Sequence, residues 1–418
     1  MRPSSSKTHR ELIASRQPGF GMNGALYSRQ DVFETDMEIF FNQHWIQVAV
    51  TADVDEPGDV FTVDIGKSSV LILRDDDEQI RAYRNVCRHR GARLKEAGKS
   101  TVGMLVCPYH QWTYDLDGSL KHASHMGKGF DPKCRSLIPV HCKVVGAHVL
   151  VCLGDNPPED IKDLEAVMGP RFAPFDLTNT RIAYELDYIE NGNWKLVMEN
   201  NRECYHCAGT HPELIVSYQS EDLGVSLEEM SDEARASYDA YQIRKAGIEA
   251  DWANSGLLYE TVEHLQDDAP TQFRTQRMII AGAGESQTLD TQVACRKLLG
   301  NLTRRDLGDT HLWGNNAWAH VMSDHAMISW IIPLSPDRTL VRTKWLVHRD
   351  AVEGVDYDLQ RLTEVWVATT QQDAALVAIT HNGTQDPAFV PGPYSTYTEP
   401  YVDQFARWYT SRLAAHGV

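Results

Sequence analysis

Apolar positions recur at helical spacing over residues 30 to 44, QDVFETDMEIFFNQH, and predict a helix leading into Trp45. The pattern then changes. From there to about residue 155 the runs WIQVAV, DVFTVDI, SSVLILRD, IRAYRNV, MLVCPY, QWTYDLDG and VVGAHVLVCLG are short and β-type, parted by Gly, Pro and Asp turns. They predict a compact all-β domain over 45–155, preceded by a tail and helix over 1–44.

Beyond the loop DNPPED the pattern is mixed. TRIAYELDYIE reads as a strand, while 193–210 and the charged stretch 217–252 read as helical. MIIAG, HAMISWIIPL and TLVRTKWLVH read as antiparallel strands, the last two joined by an SPDR turn. A long helix is expected from about Tyr357 to Thr380, unbroken by Pro or Gly and stopped in left-handed fashion at Asn382-Gly383. Residues 156–418 therefore predict an α+β domain, a sheet with a long helix laid on it.

Composition narrows this little. A chain of 418 residues with 42% apolar content can bury two or three cores. Forty basic against fifty-eight acidic residues give a net charge of −18, which argues against nucleic acid or an anionic membrane and is compatible with a small cationic ligand. No apolar run approaches the length of a membrane span. The start, MRPSSSKTHRELIASRQ, reads as a frayed tail rather than a transit peptide, and it lacks the apolar core of a secretory signal. Eight cysteines spread over this length are not a secreted disulfide scaffold, and a reducing cytosol is expected. GFGMNG at 19–24 matches a dinucleotide-binding glycine pattern, but no strand precedes it and no βαβ unit follows, so it is expected to be a flexible loop.

Residues 87 to 110 change the picture. They run CRHRGARLKEAGKSTVGMLVCPYH: Cys-x-His, seventeen residues, then Cys-x-x-His. Zinc fingers pair like ligands, C-x2-4-C with H-x3-5-H, whereas here each arm carries one of each. That mixture suits a 2Fe–2S centre in which Cys87 and Cys107 hold one iron and His89 and His110 the other, the Rieske arrangement. Tyr109 and Trp112 are expected to shield it.

A second cluster lies in ENNRECYHCAGTHPE, residues 199 to 213. On a helix Glu203 and His206 would share one face, with Cys204 and Cys207 on another, turned to the core. Gly209 loosens the helix and Pro212 ends it, so His211 can return toward His206. Two imidazoles can then meet on one metal. A two-His-one-carboxylate set leaves positions open on non-haem Fe(II), and Glu203 could supply the carboxylate or stand behind a ligand instead. Cys204 and Cys207 also spell C-x-x-C, yet no second such pair and no βαβ unit accompany them, so a redox or zinc role is set aside. Cys134, Cys142, Cys152 and Cys295 read as inert buried thiols.

The motifs CPYHQW with Asp-Leu-Asp-Gly at 115–118, and NWKLVMENNRECYHCAGTHPEL, resemble those of the Rieske non-haem iron oxygenases, the ring-hydroxylating dioxygenase large subunits and related monooxygenases. The resemblance implies an all-β Rieske domain followed by a catalytic domain of helix-grip type, its antiparallel sheet covered by helices. It implies Asp373, in QQDAALVAITHNG, as third iron ligand with His206 and His211; Asp358, Glu364 and Asp386 are the alternatives. It gives Glu203 a bridging role between His206 or His211 and a cluster histidine of a neighbouring subunit, hence a homotrimer. Electrons are expected from a separate NAD(P)H-dependent flavin and iron–sulfur reductase.

Within the family, Glu203 and the compact ENNRECYHC spelling are similar to members acting on quaternary ammonium compounds such as glycine betaine, stachydrine and carnitine. Hydroxylation of an N-methyl carbon with O2, followed by release of formaldehyde, is the implied reaction; dihydroxylation or O-demethylation of an aromatic compound is the alternative. A Rieske electron carrier would have no need of His206, His211 and Asp373. Aromatic faces attract methylammonium groups, and Tyr205, Trp313, Trp318 and Trp330 are the candidates to line the pocket.

Overall fold

The computed structural model describes residues 7–418 other than 223, 225 and 283; the first six residues of the Ser-rich tail lie outside them. The described chain divides into two compact units, Phe40–Ile161 and residues 7–39 with Lys162–Val418.

The smaller unit is built from β1 (Ile46–Val50), β2 (Asp59–Ile65), β3 (Ser68–Arg74), β4 (Ile80–Arg84), β5 (Gly98–Thr101), β6 (Leu105–Val106), β7 (Thr113–Tyr114), β8 (Leu120–His122), β9 (Pro139–Val145) and β10 (His148–Cys152). They form antiparallel sheets ordered β1-β10-β9-β4-β3-β2-β5 and β6-β7-β8. Leu71, Leu73, Leu105, Tyr114 and Leu116 make one core with Cys87, Cys107 and Trp112, so the motif loops are anchored from below. MLVCPY and QWTYDLDG shrink to two-residue strands, because the backbone between Cys107 and Trp112 bonds to itself. Gly118, at φ 83°, closes the Asp-Leu-Asp-Gly turn; a Cβ there would lie 2.5 Å from the Tyr83 ring.

The larger unit carries α1 (His9–Ala14), α2 (Ala25–Ser28), α3 (Gln30–Asp36), α4 (Ile161–Phe172), β11 (Thr180–Glu190), α5 (Trp194–Asn200), α6 (Cys207–Thr210), α7 (Asp232–Asn254), β12 (Val262–His264), β13 (Phe273–Met278), β14 (Asp309–Trp313), β15 (Ala317–Val321), β16 (His325–Ser335), β17 (Arg338–His348), α8 (Leu359–Thr384) and α9 (Pro400–Ala415). Its sheet is an antiparallel meander from β12 to β17 with β11 added beside β17. β16 is buried on both faces from His325 to Pro333, which explains its near-continuous apolar run. α8 packs on β11 and α5, burying Leu362, Trp366, Thr369, Val377 and His381 along one stripe.

Several expectations are corrected. The tail is ordered from Thr8 on: Thr8 and Glu11 form a capping box, Arg16 pairs with Asp403, and Gly19 N–H bonds Asp403 Oδ1 at 2.9 Å. Residues 7–39, read as a separate segment, join the larger unit. GFGMNG is tied down, with Gly21 N–H on Gly392 O at 2.9 Å, and a Cβ on Gly24 would meet Thr384 O at 2.0 Å. Residues 193–210 split into α5 and α6, and among the described residues of 217–252 α-helix begins only at Asp232, where Ser231 caps it. Only Met278 of MIIAG is in a strand. α8 continues through Asn382-Gly383, because its buried stripe extends to Thr384. The strands β12, β14 and β15 and the helix α9 escaped the pattern reading; β14 is short, polar and buried, so its period is masked.

One buried ion pair joins α3 to α5. Lys195 and Asp36, both fully buried, pair directly, while Trp194 Nε1–H and Tyr409 Oη–H donate to Asp36 at 3.0 and 2.7 Å. Asp36→Ala would strand the Lys195 ammonium between two rings, and urea unfolding should show a loss of about 3–5 kcal/mol.

Candidate active site

In the smaller unit two loops repeat one backbone design. Gly91 N–H bonds Cys87 O at 3.0 Å and Gln111 N–H bonds Cys107 O at 3.1 Å; Cys87 N–H and Cys107 N–H bond Ala92 O and Trp112 O, both at 2.8 Å. The residue four beyond each cysteine is left-handed, φ 79° at Gly91 and 60° at Gln111. Each turn buries its cysteine and exposes its histidine. The His89 and His110 rings lie 4.5 Å apart. Trp112 stacks on His89 at 4.8 Å and shields it, whereas Tyr109 is 55% exposed, tilts against His110 at 3.7 Å and receives a hydrogen bond from Arg90. Asn85, which the motif reading missed, holds the first loop: its Oδ1 accepts from Leu94 N–H and Lys95 N–H at 2.9 and 3.1 Å. Two buried thiols opposite two exposed imidazoles are the divided donor set that a Rieske 2Fe–2S cluster requires, and the residues fit it.

In the larger unit α5 ends at Asn200, and residues 201 to 206 turn before α6. Glu203 and His206 therefore meet across a turn, not on a helix face. Glu203 Oε1 accepts from His206 Nδ1 at 2.5 Å, and its other oxygen accepts from Tyr205 N–H. Across the short α6, His211 Nδ1 donates to Gln372 Oε1 at 2.8 Å, and Gln372 Nε2 donates to Glu213 at 2.7 Å. Both rings thus keep Nε2 for another partner. The two Nε2 atoms are 3.0 Å apart, and Asp373 Oδ1 lies 3.3 Å from that of His206 and 3.0 Å from that of His211. Asp373 Oδ1 is buried with no well-directed hydrogen bond. Three ligand atoms converging on one point, with the supporting bonds on the far side of each ring, fit a two-His-one-carboxylate metal.

The alternative acids are elsewhere. Asp358 caps α8 through Arg361 N–H at 3.0 Å, Asp386 accepts from Ala388 N–H at 2.7 Å, and Glu364 does not line the site. Cys207 Sγ is within 4.8 Å of both imidazoles, but it is joined to Cys204 in a disulfide and offers no thiolate. This disulfide corrects the expectation of two separate thiols facing the core; of the four thiols expected to be buried, Cys152 and Cys295 are, Cys142 is half-buried, and Cys134 is exposed on a turn over Pro132–Arg135 that buries no residue.

Burial disfavours charge on His206, but Asp373 and Glu203 outweigh it and raise its pKa to about 9. Burial likewise disfavours the Asp373 carboxylate, and the two histidines hold its pKa below the usual value. Because the folded-state pKa of His206 is raised, the metal-free ring is protonated below about pH 9 and a metal must displace that proton. Co2+ titration of metal-stripped protein should therefore tighten about 100-fold from pH 6.5 to 8.5, one proton over two pH units.

A cavity of about 250 Å3 opens on these ligands. Of the aromatic candidates only Trp313 lines it. Trp318 lines a void of about 30 Å3 behind Asp373, with the buried Glu190, whose pKa burial and then the Asp373 charge push up to about 8. Tyr205 is 67% exposed and Trp330 fully buried under Lys344, and neither lines the cavity. The motif reading missed Arg202, Arg274, His311, His320 and Trp366, which do line it. Trp366 could have been found: it stands seven positions before Asp373 on α8, hence on the same face.

The family model for the Rieske 2Fe–2S domain matches residues 44–142, and that for the ring hydroxylating alpha subunit catalytic domain matches 177–415. The chain is 39% identical over 409 residues to a glycine betaine monooxygenase oxygenase subunit of Pseudomonas aeruginosa, covering 97% of this chain and 92% of that one. A solved quaternary ammonium Rieske monooxygenase aligns with a TM-score of 0.70 at 20% identity, covering 98% of both chains. Naphthalene 1,2-dioxygenase from Rhodococcus aligns with a TM-score of 0.66 at 17% identity, covering 95% of both.

Proposed function

We propose that this chain, which belongs to the Rieske oxygenase alpha-subunit family, is the oxygenase component that hydroxylates an N-methyl group of a betaine of the glycine betaine class. The observation that carries the reading is the convergence of His206, His211 and Asp373 on one point of a small cavity. The substrate class rests on the near-full-length likeness to the glycine betaine enzyme. The family's cofactors are a Rieske 2Fe–2S cluster and one mononuclear iron.

In this reading Cys87, His89, Cys107 and His110 hold the cluster, and His206, His211 and Asp373 hold the iron. Fe(II) in such a set supplies open positions for O2 chemistry. Glu203 and Gln372 fix the imidazole tautomers and aim both Nε2 atoms. The cavity walls hold the methylammonium against the ligands and keep bulk water out. O2, two electrons and two protons convert N–CH3 to N–CH2OH and one water; the carbinol then loses its C–N bond, giving the tertiary amine, formaldehyde and a proton.

The electrons come from a separate NAD(P)H-dependent flavin and iron–sulfur reductase. Glu203 would bridge His206 or His211 to a cluster histidine of a neighbouring subunit by hydrogen bonds, in a homotrimer that light scattering would reveal. Among the described residues no helix is long and apolar enough to cross a membrane, and we place the enzyme in the cytosol. Aromatic oxygenation is the second reading, since the dioxygenase shares the fold; the guanidiniums of Arg202 and Arg274 in the cavity suit it poorly.

The test is formaldehyde release from glycine betaine, stachydrine and carnitine, with iron-replete protein and a surrogate reductase. Turnover of at least one betaine supports the proposal. Oxygenation of an arene with none of the betaines turned over would overturn it.

A further inference from the structure

A betaine has a carboxylate as well as a cation, and the cavity answers both. Arg202 is 5% exposed; its Nη2 donates to Gly314 O at 2.7 Å, while Nη1 is buried with no partner. Among the described residues no carboxylate pairs with it. A lone buried guanidinium is costly, so evolution tolerates it where a ligand completes it. Burial, then the neighbouring Arg274, lowers its pKa to about 9, which still leaves it charged at neutral pH.

His311 supports the same point. It is 5% exposed, Nδ1 has no partner, and burial followed by His320, Arg274 and Arg202 drives its pKa well below the ordinary value. The ring is therefore neutral, and its open nitrogen can donate. Arg274 donates through Nε to Glu263 and through Nη2 to Gln276, at 3.0 and 2.9 Å, so the edge of its guanidinium that joins those nitrogens is occupied and its charge is paired. The Trp313 ring, expected to attract the substrate cation, is covered by Arg202 at 5.0 Å and Arg274 at 5.1 Å. Methylammonium is repelled from that end.

The rings run in order away from it: Trp313 to His311 at 5.3 Å, His311 to His320 at 4.7 Å, His320 to Trp366 at 4.4 Å. Trp366 shares its α8 face with Asp373. The cavity thus carries guanidinium beside Trp313, at one end of this chain of rings, and at its other end Trp366 stands on the helix face that bears Asp373.

We infer that Arg202, aided by His311, is a positioning residue that binds the substrate carboxylate and so turns the N-methyl group toward His206, His211 and Asp373. The inference rests on the betaine reading and makes it selective: zwitterions carrying a carboxylate are substrates, and carboxylate-free quaternary ammonium compounds are not.

The test compares glycine betaine with the cationic amide in which a neutral carboxamide of near-equal shape replaces its carboxylate, in the wild-type holoenzyme and in Arg202→Gln and Arg202→Lys. Wild type should favour the betaine in kcat/KM by about 30-fold or more, as for a buried charge pair losing one member. Arg202→Gln should raise KM for the betaine by a similar factor, change kcat far less, and abolish the preference over the amide; Arg202→Lys should restore part of it. The visible cluster spectrum and iron content verify that each variant is assembled. Equal kcat/KM for betaine and amide in wild type overturns the inference without needing any variant. So does an Arg202→Gln enzyme that keeps the preference. Silence of wild type toward every quaternary ammonium compound would instead strike the proposed function.

Discussion

Asp373→Ala should purify with two irons per chain instead of three, an unaltered Rieske visible spectrum and turnover reduced at least about 1,000-fold, near 4 kcal/mol of barrier. The reason is geometric. Asp373 Oδ1 is within 3.3 Å of both imidazole Nε2 atoms, and no other described carboxylate lining the cavity has that relation to both. Two histidines alone leave a divalent ion without charge compensation in a buried site. The cluster is untouched because its four candidate ligands lie in Phe40–Ile161, which has its own core. Iron analysis beside the spectrum decides the matter; a variant with full mononuclear iron and normal turnover would remove Asp373 from the ligand set.

Glu203→Gln should separate the orienting of His206 from the electron step. The amide is nearly the size of the carboxylate and can still accept from His206 Nδ1, so both iron centres should load. What disappears is the negative charge that helps hold the His206 pKa near 9, and an acceptor for Tyr205 N–H. Changes to such supporting groups cost about 10- to 100-fold. We expect that factor in the rate at which the reduced cluster is reoxidised in a single turnover, read by its visible band on rapid mixing, with substrate affinity unchanged. An unchanged reoxidation rate would leave Glu203 as a mere orienter of His206.

These residues differ in how they could be found. Cys87, His89, Cys107 and His110 sit on tight turns whose backbone bonds close within five residues, so their chemistry is visible in their spacing. His206 and His211 are five apart and flank a four-residue helix, again a local matter. The local reading still erred: it put Glu203 and His206 on one helix, whereas α5 ends at Asn200 and a turn brings them together. Asp373 stands more than 160 positions away, and only resemblance together with its apolar neighbourhood on α8 picked it out.

The substrate end of the cavity was not legible. Net charge −18 pointed to a cationic ligand and to aromatic faces, yet a site is governed by the few groups that line it. Trp313 and Trp330 look alike in sequence; the first faces Arg202 and Arg274 in the cavity, the second is sealed in the interior strand β16. Strand alternation could have separated them only with β13, β14 and β15 correctly placed, and β14 was missed.

Sequence alone thus offered the candidate ligands that lie close together in the chain, the order of an all-β and an α+β region, and the long helix that bears Asp373, because turn chemistry, short ligand spacings and helical period act over a few residues. Tertiary structure decided which groups share the cavity, that Arg202 Nη1 and His311 Nδ1 are buried without a hydrogen-bond partner, and that Trp313 is covered by guanidinium. Those facts arise from strands and turns more than a hundred residues apart meeting across a sheet, and no local pattern encodes what a side chain will meet there.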